Sequence, residues 1–133
     1  MRIEDVEGIG PAWAEKLVAA GVRTTDDLLM AGGSAGGRER LEAATGISSK
    51  RLLEWVNHVD LMRINGVGSE FADLLEAAGV DSAAELAQRN AKSLAETFQE
   101  LDAARNTVRN IPREAVIQGW IDEAKTMEKV VSH

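Results

Sequence analysis

The stretch Gly8-Ile9-Gly10-Pro11-Ala12-Trp13-Ala14-Glu15-Lys16 decides how this chain is read, because it returns 58 positions later as Gly66-Val67-Gly68-Ser69-Glu70-Phe71-Ala72-Asp73-Leu74. Each copy continues through Leu17 or Leu75 to Ala-Ala-Gly-Val, and residues 8–28 share nine identities with residues 66–86. Most mismatches keep their character: Ile9/Val67, Trp13/Phe71, Glu15/Asp73, Thr24/Ser82 and Asp27/Glu85. Self-similarity in a fixed register marks a duplicated supersecondary unit. The 133 residues therefore divide into two similar halves, 1–60 and 61–133, expected to form one compact structural unit.

Composition narrows the class. No apolar run reaches the roughly 18 residues that a membrane-spanning helix needs, so no membrane partner is expected. Met1-Arg2-Ile3-Glu4-Asp5 lacks the basic start and apolar run of a secretory signal, which makes the cytoplasm the expected location. There is no cysteine, hence no disulfide frame, thiol chemistry or zinc-finger site. The net charge of −7 is spread over both halves and slows approach to polyanions, although a local basic patch can override it.

Helical periodicity dominates and nothing alternates like a strand. Pro11 sits where a helix start tolerates it, Ala14, Leu17 and Val18 form an apolar stripe, and Gly21 ends the helix. Thr24 with Asp27 reads as a cap for a helix over 25–31. Residues 32–37, Gly-Gly-Ser-Ala-Gly-Gly, read as a flexible connector, followed by a helix over 38–45 and a longer one capped by Ser48. The second half predicts helices over 69–78 and 83–88, one within 91–109, and a last one opened by Pro112 and running to about 127. Gly46-Ile47-Ser48 and Asn110-Ile111-Pro112 resemble eroded second turns, each ahead of a helix bearing a tryptophan, Trp55 or Trp120.

The glycine turns carry the chemistry. Glycine permits backbone angles closed to other residues, and the apolar residue between the pair plugs the core. The helix that follows begins with N–H groups lacking an intrahelical partner and with the positive end of its dipole, a site suited to an anion such as phosphate. Such a contact holds a nucleic-acid backbone without reading its sequence.

The stretch from Val6 through Leu17 resembles the helix–hairpin–helix motif of DNA repair polymerases and ligases. That resemblance implies phosphate binding by the backbone amides of Gly8, Gly10, Ala12 and Trp13, with Lys16 assisting. In the second copy it implies the amides of Gly66, Gly68, Glu70 and Phe71. It also implies a sodium or potassium ion on turn carbonyls, those of Glu4, Val6 and Ile9 and those of Met62, Ile64 and Val67. Over its whole length, and notably in Leu53-Glu54-Trp55-Val56-Asn57 and Asp60-Leu61-Met62-Arg63-Ile64, the chain is similar to bacterial proteins of the same tandem repeat, a domain of unknown function. The implied architecture is all-α: two fused, pseudo-repeated helix–hairpin–helix units in a SAM-domain-like bundle.

The copies are not equal. Ser69 and Glu70 stand at the second turn exit, Leu74 replaces Lys16, and Glu70 would repel a phosphate, so the first turn is the better anion candidate. Trp13 and Phe71 sit beside the two turns, off the buried stripe, and together with Arg105 and Arg109 are the candidate interaction surface for a protein partner. The bland reading of each stays open: tryptophans at helical spacing pack into cores, and an arginine stripe is usually a solvated helix face. Residues 32–37 lack the Lys-Ser/Thr of a phosphate loop and follow a helix. His58 and His133 form no metal-like spacing, and no nucleophile is grouped with a base. The expectation is a non-enzymatic module with no metal and no organic cofactor. It would contact nucleic acid weakly through the first turn, assisted by Lys16 and Arg2, or serve as a protein-interaction scaffold with purely structural turns.

Overall fold

The computed structural model describes residues 1–105 and 111–133, with the backbone alone at 103–105. After a short 3-10 helix, Ile3–Asp5, come α1 Gly10–Ala19, α2 Thr25–Gly32, α3 Ala35–Thr45, α4 Ser49–Met62, α5 Ser69–Ala77, α6 Ala83–Leu86, α7 Ala91–Arg105 and α8 Glu114–Thr126. The fold is all-α; an isolated bridge joins Arg2 to Thr24. α7 ends at Arg105, and the part of the expected helix beyond it lies outside the described residues. Pro112 lies ahead of the last helix and not at its start: extended Arg113 is the N-cap of α8.

The chain forms two units, one of Met1–Asp60 with Lys129–His133 and one of Leu61–Glu128. Residues 129–133, assigned on sequence to the second half, thus belong to the first unit. Val131 is 2% exposed in the first core, the Ser132 amide donates to Gly33 O at 2.8 Å, and Arg38 donates to Ser132 O at 2.6 Å. Five residues at the end of the chain carry too little pattern to announce such a seat.

Within the first unit, α1 packs on the 3-10 helix and α2 on α3. Ile3, Val6, Ile9, Leu17, Leu28 and Ile47 are buried in its core, joined by Leu52, Trp55 and Val56 of α4. Within the second, α8 packs on α6 and α7, and Leu61, Ile64, Val67, Leu75 and Leu86 occupy the places of Ile3, Val6, Ile9, Leu17 and Leu28. Ile117, Trp120, Ile121 and Ala124 of α8 are buried like Leu52, Trp55, Val56 and Val59 of α4, 65 positions earlier. The register slip between the two offsets leaves each core with the same set of positions.

Local chemistry sets the helix boundaries. Thr24 Oγ1 accepts from the Asp27 amide at 3.1 Å, and Asp27 returns the bond to the Thr24 amide at 3.2 Å, a reciprocal cap that satisfies two otherwise orphaned donors. The Arg23 amide at 3.1 Å, followed by the Thr24 bonds and the Arg23 charge, holds the Asp27 carboxyl below its ordinary value against a smaller opposing effect of burial. In the second unit Ser82 Oγ accepts from the Glu85 amide at 3.2 Å.

The glycine-rich segment corrects the sequence reading. It is no flexible connector: α2 runs through Gly32, helical Gly33 follows, and Ser34 caps α3 by accepting from Gly37 N at 3.0 Å. α3 therefore starts three residues before the expected position. Gly33 is needed for close approach, since a Cβ there would lie 2.5 Å from Val130 O and 2.6 Å from Leu29 O. Arg38 is 4% exposed and donates to the carbonyls of Gly32 at 2.9 Å and Gly33 at 3.0 Å as well as to Ser132. A buried cation is tolerable there because three carbonyls solvate it.

Candidate functional site

Each turn is braced from inside in the same way. In the first, Val6 N donates to Ile3 O and Ile9 N to Val6 O, both at 3.2 Å; in the second, Ile64 N donates to Leu61 O at 3.2 Å and Val67 N to Val6's counterpart, Ile64 O, at 3.0 Å. The side chains of Val6, Ile9, Ile64 and Val67 are all buried plugs. The carbonyls of Val6 and Ile64, two of the six singled out for a cation, each accept one hydrogen bond in this brace.

The turn exits then diverge. Gly8 and Gly10 both take left-handed backbone, φ +92° and +70°, so neither position suits an L side chain. In the second copy Gly66 is left-handed at +88°, whereas Gly68 has φ −93° and ψ −169°, extended backbone that any residue adopts. The equivalence of the glycine pairs thus fails at its second member. Gly8, Gly10 and Ala12 are exposed, and a Cβ at Gly8 or Gly10 would meet nothing within 4 Å, so the first turn faces open space.

Gly66 and Gly68 of the second turn are exposed as well, but an acidic side chain of the same unit reaches this turn. The Asn65 amide donates to the Glu123 carboxylate at 3.1 and 3.3 Å, and Trp120 Nε1 lies 3.3 Å from where a Cβ of Gly66 would sit. An internal anion occupies the surroundings of Gly66, and exposed Glu70 adds a second negative charge beyond Gly68.

The aromatic neighbours repeat with different companions. Trp13 is half-buried, its ring 6.2 Å from Trp55 in an edge-on arrangement, and Phe71 meets Trp120 at 5.3 Å. Both partner tryptophans are buried, so Trp13 and Phe71 are outer members of aromatic pairs and not isolated surface anchors. Lys16 Nζ stands 5.3 Å and Arg51 Cζ 5.2 Å from the Trp13 ring centroid, both side chains exposed. At the corresponding places of the second unit are Leu74 and Val116. A basic patch beside the first turn is thus aliphatic beside the second.

Acid also borders the first turn. Arg2, expected to assist there, lies 3.0 Å from Glu4 Oε1 and 3.5 Å from Asp5 Oδ2, which neutralises it locally. The side chain of Arg105 and the whole of Arg109 lie outside the described residues.

Two participants escaped the sequence reading, Arg51 and Glu123. Arg51 stands one helical turn before Trp55, so pairing Trp55 with Trp13 would have found it. Nothing local announces Glu123, which reaches the turn from 58 residues away.

Among the described residues no helix is long and apolar enough to cross a membrane. No curated protein and no solved structure matches the chain. Residues 7–127 match the family model described as a domain of unknown function, DUF4332. The match spans both turns and both aromatic pairs, and by it the chain belongs to the DUF4332 family.

Proposed function

We propose that this protein is a non-enzymatic binding module of helix–hairpin–helix type that contacts the nucleic-acid backbone, without sequence preference, through its first turn. The observation that carries the reading is the asymmetry between the turns: Gly8, Gly10 and Ala12 are open beside Lys16 and Arg51, whereas Asn65 already binds Glu123. The start of α1 offers amides and the positive dipole end, and the two cations over Trp13 supply mobile charge beside it. The Val6 carbonyl, which accepts from Ile9 through one lone pair, has a second with which, beside the Ile9 carbonyl, it would hold a sodium or potassium ion that assists the same phosphate.

With two cations at the site and a net charge of −7, binding is weak. A dissociation constant of about micromolar or weaker at physiological salt follows, with a shallow salt slope. The test is fluorescence anisotropy with a labelled oligonucleotide, single-stranded and duplex, at low and at physiological salt. Lys16→Ala combined with Arg51→Ala is expected to flatten the slope by about two, one per lost phosphate contact. No binding by the unaltered protein at low salt, or an unchanged slope in the double variant, overturns the proposal.

A further inference from the structure

The opposite flank of α1 holds a groove that the nucleic-acid reading does not use. Between the 3-10 helix and α1, Glu4, Pro11, Ala14, Glu15 and Val18 line an open cavity of about 410 Å³. Positions 11, 14, 15 and 18 follow the helical repeat and form one stripe, while Trp13 and Lys16 point to the other side of the buried Leu17 seam. The floor is apolar: Ala14 is buried, Pro11 is exposed, and Val18 is one of four large hydrophobic side chains exposed among the described residues, at 40%. The rim is acidic. Of its two carboxylates, Glu4 pairs with Arg2 at 3.0 Å, whereas Glu15 on α1 has no ion pair among the described residues.

The second repeat lacks this combination. Ser69, Asp73 and Glu76 take the places of Pro11, Glu15 and Val18, and Met62 that of Glu4, which removes the apolar wall and moves one acid into its place. The groove is a property of the first unit alone, not a by-product of the shared turn. Its volume sits near the lower end of the roughly 300–1,000 Å³ typical of ligand clefts, room for one or two side chains.

We propose that this groove docks a basic side chain of a partner peptide, a lysine or arginine carried beside an aliphatic residue, with the aliphatic group on Pro11, Ala14 and Val18 and the cation at Glu15. Charge complementarity selects the occupant: an acidic rim over an apolar floor attracts an alkylated cation and rejects an anion or a neutral polar chain. Because the site lies away from Trp13 and Lys16, the proposal stands or falls separately from the nucleic-acid reading.

The probe is N-acetyl-leucyl-arginine amide, compared with its citrulline analogue, which keeps the shape and loses the charge. Titration into isotopically labelled protein, followed by nuclear magnetic resonance, should shift the Ala14 and Val18 methyl signals with saturation at about millimolar probe, a normal affinity for so few contacts. The citrulline analogue and the Glu15→Gln variant should each bind at least about threefold more weakly, the loss of about one exposed ion pair. Val18→Ser should weaken binding of both peptides alike, and Lys16→Ala should leave it unchanged. Equal binding of the two peptides, shifts centred on Trp13, or no shift at Val18 overturns the proposal.

Discussion

The two units share a plan yet treat their turns in opposite ways. In both, a plug (Ile9 or Val67) is braced to the residue three positions before it, and an outer aromatic leans on a buried tryptophan. In the first, two cations stand over its aromatic; in the second, Glu123 binds the Asn65 amide and Leu74 and Val116 replace the cations. The difference teaches that the inward half of such a turn serves folding and the outward half is free to be kept or closed. Core positions tolerate only apolar exchange of similar volume, whereas surface charges can reverse at little cost to stability.

The strongest way to break the comparison is through the buried tryptophans. Trp55→Ala and Trp120→Ala should each cost about 3–5 kcal/mol, as loss of a large buried ring does. The two values, from denaturant unfolding followed by residue-resolved hydrogen exchange, should agree to within about 1 kcal/mol, with the exchange rising in the unit that was altered. A cost confined to one of them would show that the pairs are not equivalent.

A smaller effect sharpens the comparison, because it belongs to the first unit alone. Arg38→Met keeps the stem and removes the donors to Gly32, Gly33 and Ser132. It should cost about 2–3 kcal/mol, the penalty for leaving buried carbonyls unpaired, and make residues 129–133 sensitive to protease. Retention of the tail's protection would remove Arg38 as its anchor.

The caps give the smallest difference. Thr24→Ala and Ser82→Ala should each destabilise by about 1 kcal/mol. Only the first should also change the acid limb of the stability curve, because Asp27 reciprocates the bond from Thr24. The Asp27 carboxyl sits below its ordinary value in the folded chain, so its contribution is whole above that ordinary value and is lost as pH falls through the folded one. Replacing Asp27 by Asn should therefore flatten stability against pH in that acid window and leave the neutral range without a new slope. A slope unchanged by the replacement would refute the assignment.

Much of the architecture was readable beforehand. The repeat located the turns, Ile9 and Val67 are the buried plugs it implies, and Thr24 and Ser48 cap the helices that follow them. The glycine-rich segment misled, because glycine marks both mobility and close packing, and only the nearness of Val130 to Gly33 separates them. The basic patch was half legible: Lys16 lies within the motif, while Arg51 arrives from α4.

What the chain's own order of residues determined is whatever depends on neighbours within about four positions: most of the helices, their caps and the apolar stripe. It also determined the doubling, since duplication is a property of the text itself. Tertiary structure alone decided which turn takes a carboxylate on its amide, where Arg38 finds its carbonyls, and that the tail returns to the first unit. Those outcomes join residues 58 and 94 positions apart, and no local propensity ranks such pairings. They are set by packing, which brings a carboxylate or a guanidinium within bonding distance of a partner remote in the sequence.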